Sequence, residues 1–341
     1  MSEKAYYYQQ LAKPERAAYD AMLAAFTALA PTARVTRLPD RDLADVFARL
    51  KLDRPDIFYV KDYTYRFTDD ADFVELRPVY LFEKGKLLTQ KQALEARVRR
   101  LLAPAVGGTE AEKEWFVHDF IVKNVRYDKL KKEYSHEVIG PLTTGVGVCE
   151  GIAKTVKLLC GELGLECIVV LSEADPANGV KYRHAWNLVR QNGQWYHLDA
   201  TFDNTLSQNS APRCDYYNLS DAAAFRDHLP SIYPLPVCGD GAGFYYRQQR
   251  LSLTKPEDAD SRVRQALRKR QPGLTFHWRG GFLTREVLAC LLTDAGKAAG
   301  ERGKFVSCSV NFPQAVVALR FTDAQSAGVR EDNAMEEENE S

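Results

Sequence analysis

Residues 145–153 have the sequence Gly-Val-Gly-Val-Cys-Glu-Gly-Ile-Ala, which places Cys149 between Gly147 and Gly151. Glycines on both sides of a cysteine let the backbone and a substrate approach closely. The next residues have apolar side chains at helical spacing, up to Gly164. We therefore predict that Cys149 lies at the N-terminus of a helix, where exposed N–H groups and the helix dipole favour a reactive thiolate.

Two later stretches predict a β-hairpin. Residues 182–189 and 194–201 are rich in residues typical of strands, and a short Asn-Gly turn separates them. Pairing of the two strands would bring His184 and Asp199 within side-chain reach of each other. Cys149, His184 and Asp199 are therefore candidates for a nucleophile, a general base and the acid that orients the base.

Three motifs in this order resemble those of the transglutaminase-like superfamily of cysteine acyltransferases and proteases. They are Gly-Val-Cys149-Glu-Gly-Ile-Ala, His184-Ala-Trp-Asn and Trp-Tyr-His-Leu-Asp199-Ala-Thr-Phe-Asp. The resemblance covers about residues 115–203, and stretches between residues 216 and 236 resemble the segment after this core in bacterial relatives. It implies an α+β fold with a papain-like, transglutaminase-like core, in which the helix that bears the cysteine packs on an antiparallel sheet.

The resemblance also implies thiol-dependent acyl chemistry on a peptide or protein amide. A Cys149 thiolate would attack the carbonyl carbon, His184 would transfer protons, and Asp199 would hold the imidazole. Water would resolve the thioester in a peptidase or amidase, and an amine would resolve it in a protein-glutamine acyltransferase. The sequence leaves both outcomes open. The alternative is a catalytically inactive transglutaminase-like module that binds another protein.

Five further residues are expected to support this site or to contribute to an oxyanion hole. The backbone N–H of Cys149 is a natural first oxyanion donor, while Trp115, Asn124 and Tyr127 are all open as the second. His197 lies two residues before the acid and so shares its strand face. The five residues are Gly147, Gly151, Trp186, Asn187 and His197.

Other polar residues near the motifs have less specific interpretations. Asp203 is a second candidate for the acid, but its place just past the strand favours a turn cap with Asn204. Glu150, beside the nucleophile, is interpreted as a surface charge that suits the start of a helix. Spacing indicates no partner for His118 and three other histidines. Since no histidine or cysteine pair has zinc-ligand spacing, we expect neither a metal nor a cofactor.

Composition narrows the class of protein. The chain has 341 residues, 45% of them hydrophobic, and zero formal net charge, which does not indicate a nucleic-acid partner. It has no apolar run as long as a membrane span, and its first residues lack the pattern of a signal peptide. Seven scattered cysteines predict reduced thiols and a cytoplasmic location. The expected partner is a peptide or protein substrate, and the oligomeric state is open.

Changes in composition divide the chain into four predicted regions. An N-terminal α+β unit occupies residues 1–104, and the transglutaminase-like catalytic core occupies residues 105–246. A small C-terminal α/β unit follows at residues 247–322, and an acidic tail at residues 323–341 is expected to be disordered. Predicted helices span residues 14–29, 40–50, 89–102, 255–269 and 284–298, and predicted strands span residues 57–60, 63–67, 73–81, 274–278, 305–310 and 316–321.

Overall fold

In the computed structural model, the described residues are 5–67, 72–178, 180, 182–208 and 212–323. Contacts divide the chain into two compact units, one of Met1–Thr205 with Leu229–Cys238, the other of Leu206–His228 with Gly239–Ser341. The four-part division predicted from composition stays a prediction, and residues 324–341 of its acidic tail lie outside the described residues. No helix within the described ranges is long and apolar enough to cross a bilayer.

The first unit begins with two helices and a three-stranded antiparallel sheet. Apolar residues at helical spacing bury one face of each helix, such as Met22 and Phe26 in the first and Val46 in the second. The strand predicted at residues 57–60 begins only at its last residue, because a 3-10 turn occupies its start. The elements are α1 (Lys13–Thr27), β1 (Ala33–Thr36), α2 (Asp40–Asp53), β2 (Val60–Phe67) and β3 (Phe73–Tyr80), with the strands in the order β1-β3-β2.

Two more helices lead to the cysteine motif. The second of them begins with a capping box, in which Thr109 accepts a hydrogen bond from Glu112 N and Glu112 Oε2 accepts one from Thr109 N at 2.8 Å. A short parallel pair of strands follows, with Tyr127 opposite Gly147. This pairing places Tyr127 beside the residues that precede the cysteine. The elements are α3 (Lys84–Leu102), α4 (Glu110–Asn124), β4 (Arg126–Tyr127) and β5 (Val146–Gly147).

A helix packed on an antiparallel sheet forms the centre of the first unit. Its elements are α5 (Cys149–Glu162), β6 (Cys167–Leu171), β7 (Ala185–Gln191) and β8 (Gln194–Leu198). The helix packs on β6 and β7, and β8 extends the sheet by pairing with β7. Buried side chains of α5, β6 and β7 meet in this layer, among them Ala153, Val170 and Leu188. The arrangement confirms the predicted α+β class with a papain-like core.

The predicted hairpin is formed by β7 and β8. In its turn, Asn192 and Gly193 have φ values of 49° and 81°, which these two residue types tolerate. Both strands are shorter than predicted, since His184 lies immediately before β7 and Asp199 lies between β8 and α6 (Ala200–Ser207). Because the strands are antiparallel, these two positions still fall at the same edge of the sheet.

The second unit contains a four-stranded sheet and two long helices. Its elements are β9 (Tyr217–Leu219), α7 (Asp221–Ala224), α8 (Tyr245–Gln248), β10 (Ser252–Leu253), α9 (Pro256–Arg268), β11 (Gly273–Trp278), α10 (Arg285–Gly300), β12 (Lys304–Asn311) and β13 (Val316–Asp323). The sheet has the strand order β10-β11-β13-β12, and α9 and α10 pack against each other. Helices α9 and α10 and strands β11 to β13 confirm the elements predicted for this part of the sequence.

Candidate active site

Cys149 is the first residue of α5, as the glycine-flanked motif predicts. Val148 before it has an extended backbone, and its carbonyl accepts the first hydrogen bond of the helix, from Ile152 N at 2.9 Å. At the other end, α5 stops at Glu162, and Gly164 takes a φ of 77°. The first turn of a helix has unpaired N–H groups and the positive end of the helix dipole, and the Cys149 side chain begins at this end.

The two glycines beside the cysteine let a loop pack closely against the start of α5. A Cβ on Gly151 would lie 2.1 Å from Ser135 O, and a Cβ on Gly147 would lie 2.7 Å from Pro141 Cγ. Ser135 O also accepts a hydrogen bond from Val148 N at 3.0 Å. The glycines therefore help to fix the position of the cysteine through close packing with this loop.

His184 and Asp199 meet at the edge of the sheet. His184 Nε2 donates a hydrogen bond to Asp199 Oδ2 at 2.5 Å. The other carboxylate oxygen, Asp199 Oδ1, accepts hydrogen bonds from Thr201 N at 2.8 Å and Phe202 N at 3.0 Å, so this aspartate also caps the start of α6. The Phe202 ring stacks on the imidazole, with ring centroids 4.6 Å apart. Backbone and ring contacts thus hold both partners in place.

The structure brings Cys149 to this pair. The thiol lies within hydrogen-bonding reach of the His184 imidazole. Burial by itself lowers the pKa of His184, but the charge and hydrogen bond of Asp199, together with Cys149, outweigh this effect and raise the pKa to about 10. The imidazole is therefore charged at neutral pH, which is the state that stabilises a neighbouring thiolate.

Trp186, Asn187 and His197 are buried on β7 and β8, and one of them, Asn187, connects the sheet to α5. Trp186 Nε1 donates a hydrogen bond to His197 Nδ1 at 2.9 Å, and its ring stacks on His184 with centroids 5.8 Å apart. Asn187 Nδ2 donates to Ala153 O at 2.9 Å, which ties β7 to the helix that bears the cysteine. These contacts place the strand next to the imidazole in a fixed position relative to the thiol.

A cavity of about 780 Å³ opens beside Cys149 and His184. Residues of α2 and of the loop after β4 contribute to its walls, together with residues around the cysteine and the histidine. A cleft of this size is suited to a side chain and the adjoining backbone of a bound molecule. Its described lining consists of apolar residues (Phe47, Ala48, Leu52, Leu81, Val148, Leu171, Ala174 and Ala185), charged residues (Lys51, Lys61, Lys131, Glu133, Glu137, Glu150, Lys154 and Arg183), and Tyr127, His136, Cys149, Tyr182 and His184.

Of the three candidates for a second oxyanion donor, the structure brings Tyr127 to the cysteine. Its hydroxyl is within hydrogen-bonding reach of Cys149 Sγ and of Cys149 N–H, and burial, helped by this sulfur, raises the pKa of Tyr127 to about 12. Trp115 instead lies against His118, with ring centroids 5.9 Å apart, and Asn124 Nδ2 donates to a carbonyl of its own helix at 2.9 Å. The described lining of the cavity includes neither Trp115 nor Asn124.

Charged residues around Lys154 form a network that the sequence does not predict. Lys154 Nζ, buried on α5, lies 2.9 Å from Glu137 Oε1 and 2.7 Å from Glu150 Oε1. Glu137 Oε1 also lies 3.1 Å from Lys51 Nζ, and Glu150 Oε2 lies 3.4 Å from His136 Nδ1. Glu150, interpreted from the sequence as a surface charge, is therefore half-buried and engaged through both oxygens.

This network shifts the protonation of its members. Burial raises the pKa of Glu150, but Lys154 and His136 outweigh it and hold the pKa well below its usual value. Burial likewise lowers the pKa of Lys154, but Glu137 and Glu150 bring it above its usual value. Burial lowers the pKa of Lys51 to about 8, although Glu137 opposes the change. The only local signal for the network was the four-residue spacing of Glu150 and Lys154, which is typical of a helical ion pair.

A second histidine–aspartate pair lies in the interior of the first unit. His118 Nε2 is 2.9 Å from Asp203 Oδ2, and the two side chains are 1% and 0% exposed. Burial lowers the pKa of His118 to about 4, so its imidazole is neutral at pH 7. Asp203 lies inside α6, which corrects its interpretation as a turn cap. A pair whose members are 85 residues apart leaves no local pattern in the sequence.

The helix that begins with Cys149 packs on an antiparallel sheet, and the edge of this sheet holds His184 and Asp199. This arrangement is that of the papain-like class of proteins. The family model of the transglutaminase-like superfamily matches residues 99–200. The resemblance predicted from the three motifs is thus confirmed for this part of the chain.

Two curated proteins are similar to part of the chain. The kyphoscoliosis peptidase of Mus musculus is 26% identical over 171 residues, which are 44% of this chain and 26% of that protein. The kyphoscoliosis peptidase of Homo sapiens is 25% identical over 160 residues, with shares of 42% and 24%. The chain thus spans about a quarter of the length of these relatives. A crystal structure described as a TGase is 12% identical, with a TM-score of 0.32 over 66% of each chain.

Proposed function

We propose that the chain is a cysteine enzyme that cleaves or transfers peptide or protein amides through a thioester on Cys149. The observation that carries this proposal is the convergence of Cys149, His184 and Asp199 at an open cavity, with the pKa of His184 raised to about 10. A cysteine that only fills the core needs neither a charged imidazole nor access to a cavity.

In the proposed resting state, the thiol proton has moved from Cys149 Sγ to the imidazole of His184. Because Asp199 engages Nε2, the nitrogen that exchanges this proton is Nδ1. The N-terminus of α5 stabilises the thiolate, and the Asp199 carboxylate, held by two backbone N–H groups, stabilises the imidazolium. Both halves of the ion pair therefore have a fixed partner before a substrate binds.

In the acylation step, the thiolate attacks the carbonyl carbon of the bound amide. A C–S bond forms, and the carbonyl electron pair moves onto the oxygen. Cys149 N–H donates one hydrogen bond to this oxyanion, and the hydroxyl of Tyr127, which lies beside that N–H, donates the second. When the intermediate collapses, the C–N bond breaks, and the imidazolium proton of His184 passes to the leaving amine. The product is a thioester and a free amine.

In the second step, water or another amine attacks the carbonyl carbon of the thioester, and the neutral His184 accepts the proton of the attacking group. The C–S bond then breaks, which releases the acyl product and restores the Cys149 thiolate beside the His184 imidazolium. Water gives hydrolysis, and an amine gives acyl transfer. The curated relatives carry the word peptidase in their names, which supports hydrolysis as the first assignment. Transfer to an amine is the second assignment, and the same intermediate serves both.

The first test is the rate of Cys149 alkylation by iodoacetamide as a function of pH, measured by peptide mass mapping. The proposal predicts fast labelling well below the ordinary thiol pKa of about 8.5, and a loss of this fast labelling in His184→Ala. Cys160, which is fully buried, serves as the internal control in the same digest. Slow labelling that is indifferent to His184 would instead support the inactive, protein-binding module.

The second test is turnover of amide substrates. A pool of peptides with glutamine side chains and internal amide bonds is incubated with the parent, Cys149→Ala and Cys160→Ala, with and without an added primary amine. We expect released amine or ammonia with the parent and Cys160→Ala, and none with Cys149→Ala. Mass spectrometry of the peptide products shows whether the added amine has been attached, which separates transfer from hydrolysis. Turnover that survives Cys149→Ala would end the assignment of the nucleophile.

A further inference from the structure

The cavity beside the cysteine has a wall that lies outside the region matched by the family model. That model begins at residue 99, whereas six of the described lining residues precede it. Four of the six belong to α2, and the fold places this helix at the cavity although it is almost a hundred residues from the cysteine in sequence. The six residues are Phe47, Ala48, Lys51, Leu52, Lys61 and Leu81.

The contribution of α2 to this wall is mainly apolar. Phe47 and Ala48 are half-buried and Leu52 is buried, so the helix presents carbon atoms to the cavity. The ring of Phe47 packs edge-on against Phe26, at a centroid distance of 6.0 Å, and against Tyr63, at 5.1 Å. These two rings hold Phe47 in place, so its surface is available to a bound molecule without a prior rearrangement.

The wall is fixed relative to the proposed nucleophile by an ion-pair chain. Lys51 lies one helical turn after Phe47, on the face of α2 that lines the cavity. Lys51 Nζ lies 3.1 Å from Glu137 Oε1, which in turn lies 2.9 Å from Lys154 Nζ on α5. Lys51 Nζ also donates a hydrogen bond to Val60 O at 2.7 Å. The helix that supplies the apolar wall is therefore tied to the helix that begins with the cysteine.

Most of the charged side chains in the described lining of the cavity form ion pairs. Glu137 and Glu150 both contact Lys154, and Glu133 forms an ion pair with Lys61. Among the cations, the Lys131 ammonium lies 3.6 Å from the centroid of the Tyr182 ring. A substrate with a positively charged side chain therefore meets carboxylates that are already engaged. The apolar residues of α2 offer a surface without such charges.

From these contacts, we infer that α2 is a specificity element that selects amide substrates with a large aliphatic side chain next to the reacting carbonyl. The inference rests on the proposed function, since it assigns the substrate class of the same cavity. Phe47, Ala48 and Leu52 would cover the side chain. Apolar pockets discriminate by size, and one or two methylene groups commonly change the specificity constant by about tenfold or more.

The test uses chloromethyl ketones of N-acetylated leucine, glycine, aspartate and lysine, which alkylate a nucleophilic cysteine without turnover. The second-order rate of Cys149 modification by each reagent is divided by the iodoacetamide rate of the same variant, so a general change in thiol reactivity cancels. We expect the leucine reagent to react about tenfold faster than the glycine reagent, with no such gain for aspartate or lysine. The inference would be overturned if the aspartate or lysine reagent reacted fastest, or if the leucine and glycine reagents reacted at equal rates.

Matched variants locate the effect on α2. Ala48→Phe adds a ring inside the cavity and is expected to reduce the leucine preference to about one. Ala44→Phe makes the same change one turn earlier on the helix, at an exposed position outside the described lining, and is expected to keep the preference. Phe47→Ala enlarges the cavity and is expected to move the preference from leucine to a tryptophan reagent, which provides a second readout if Ala48→Phe fails to fold.

The outcomes separate this inference from the proposed function. Iodoacetamide labelling that is slow and indifferent to His184→Ala contradicts the proposed function, and the substrate class with it. A second outcome is fast labelling that depends on His184, together with a leucine preference that both Ala48→Phe and Phe47→Ala leave unchanged. This outcome contradicts only the assignment of specificity to α2.

Discussion

Two histidine–aspartate pairs of the first unit have the same side-chain chemistry and opposite surroundings. His184 Nε2 lies 2.5 Å from Asp199 Oδ2 beside the cavity, and His118 Nε2 lies 2.9 Å from Asp203 Oδ2 in the interior. The two aspartates are four residues apart in the chain. Yet the pKa of His184 is raised to about 10, whereas that of His118 is lowered to about 4.

The difference shows that a neighbouring carboxylate does not by itself activate a histidine. Complete burial disfavours the charged form of His118 and leaves a neutral donor that stabilises the interior. His184 keeps 19% of its side chain exposed and has both a carboxylate and a thiol beside it, so its charged form is favoured. Contact with the cavity and the sulfur, rather than the pair itself, distinguishes the proposed catalytic histidine.

The largest expected effect is a difference in the Cys149 alkylation rate between variants of Asp199 and Asp203. Asp199→Asn keeps the shape of the side chain but removes the charge that stabilises the imidazolium, so Cys149 alkylation at neutral pH should slow by about 10²–10⁴-fold. Asp203→Asn should change this rate by less than about threefold, because Asp203 pairs with a histidine in the interior. Iodoacetamide kinetics with peptide mass mapping measure both rates. Equal slowing by the two variants would remove the functional distinction between the pairs.

The next effect concerns stability. His118→Ala removes a hydrogen-bond donor from the buried Asp203 carboxylate, and loss of such a partner typically costs about 1–3 kcal/mol of unfolding free energy, or more for a charged group. Urea denaturation of the parent and the variant measures this cost. At urea concentrations where it is folded, His118→Ala should still alkylate Cys149 at close to the parent rate. A stable His118→Ala protein with a slowed thiol would mean that the interior pair acts on the site.

The pH dependence of stability should have opposite signs for the two histidines. Since the pKa of His184 is raised, its contribution is complete below the ordinary histidine pKa of about 6.5 and is lost as the pH rises toward about 10. Since the pKa of His118 is lowered, its contribution is complete above about pH 6.5 and is lost as the pH falls toward about 4.

Urea denaturation across both ranges gives the measurement. The difference in unfolding free energy between the parent and His184→Ala should shrink on the alkaline side, and the difference between the parent and His118→Ala should shrink on the acid side. Slopes of the same sign in the two comparisons would contradict the assigned charge states.

The smallest expected effect concerns the aromatic neighbour of each histidine. The Phe202 ring stacks on His184 at 4.6 Å, and the Trp115 ring is tilted against His118 at 5.9 Å. Such ring contacts contribute about 0.5–1.5 kcal/mol beyond burial. Phe202→Leu should therefore slow Cys149 alkylation by about two- to tenfold, and Trp115→Leu should leave it unchanged. A larger effect from Trp115→Leu would point to a role of α4 in the site.

Local patterns predicted the parts of the site that short segments of the chain determine. The spacing of apolar residues after Cys149 predicted α5, and the pair Asn192-Gly193 predicted the hairpin that brings His184 and Asp199 to one edge. The limits of the strands were less accurate, because Asp199 caps α6 with its side chain while the flanking residues still have strand-like composition. A side-chain cap competes with strand pairing in a way that residue type alone does not reveal.

Contacts between distant segments could not be predicted from the sequence. The pair His118–Asp203 spans 85 residues, and the ion-pair chain from Lys51 through Glu137 to Lys154 joins helices that are far apart in the chain. Burial decides the charge of each member, and burial is a property of the tertiary structure. The role of α2 as a wall of the cavity was missed for the same reason.

The ion pair between Lys51 and Glu137 has a consequence for how much of the chain is needed to keep the cavity complete. Residues 99–200, excised or grafted into another protein, would keep Glu137 and Lys154 but lose Lys51 and the apolar face of α2. Such a graft would carry the cysteine, histidine and aspartate with one side of their cleft missing. The transferable module is therefore larger than the region that the family model matches, and it includes the helix at Asp40–Asp53.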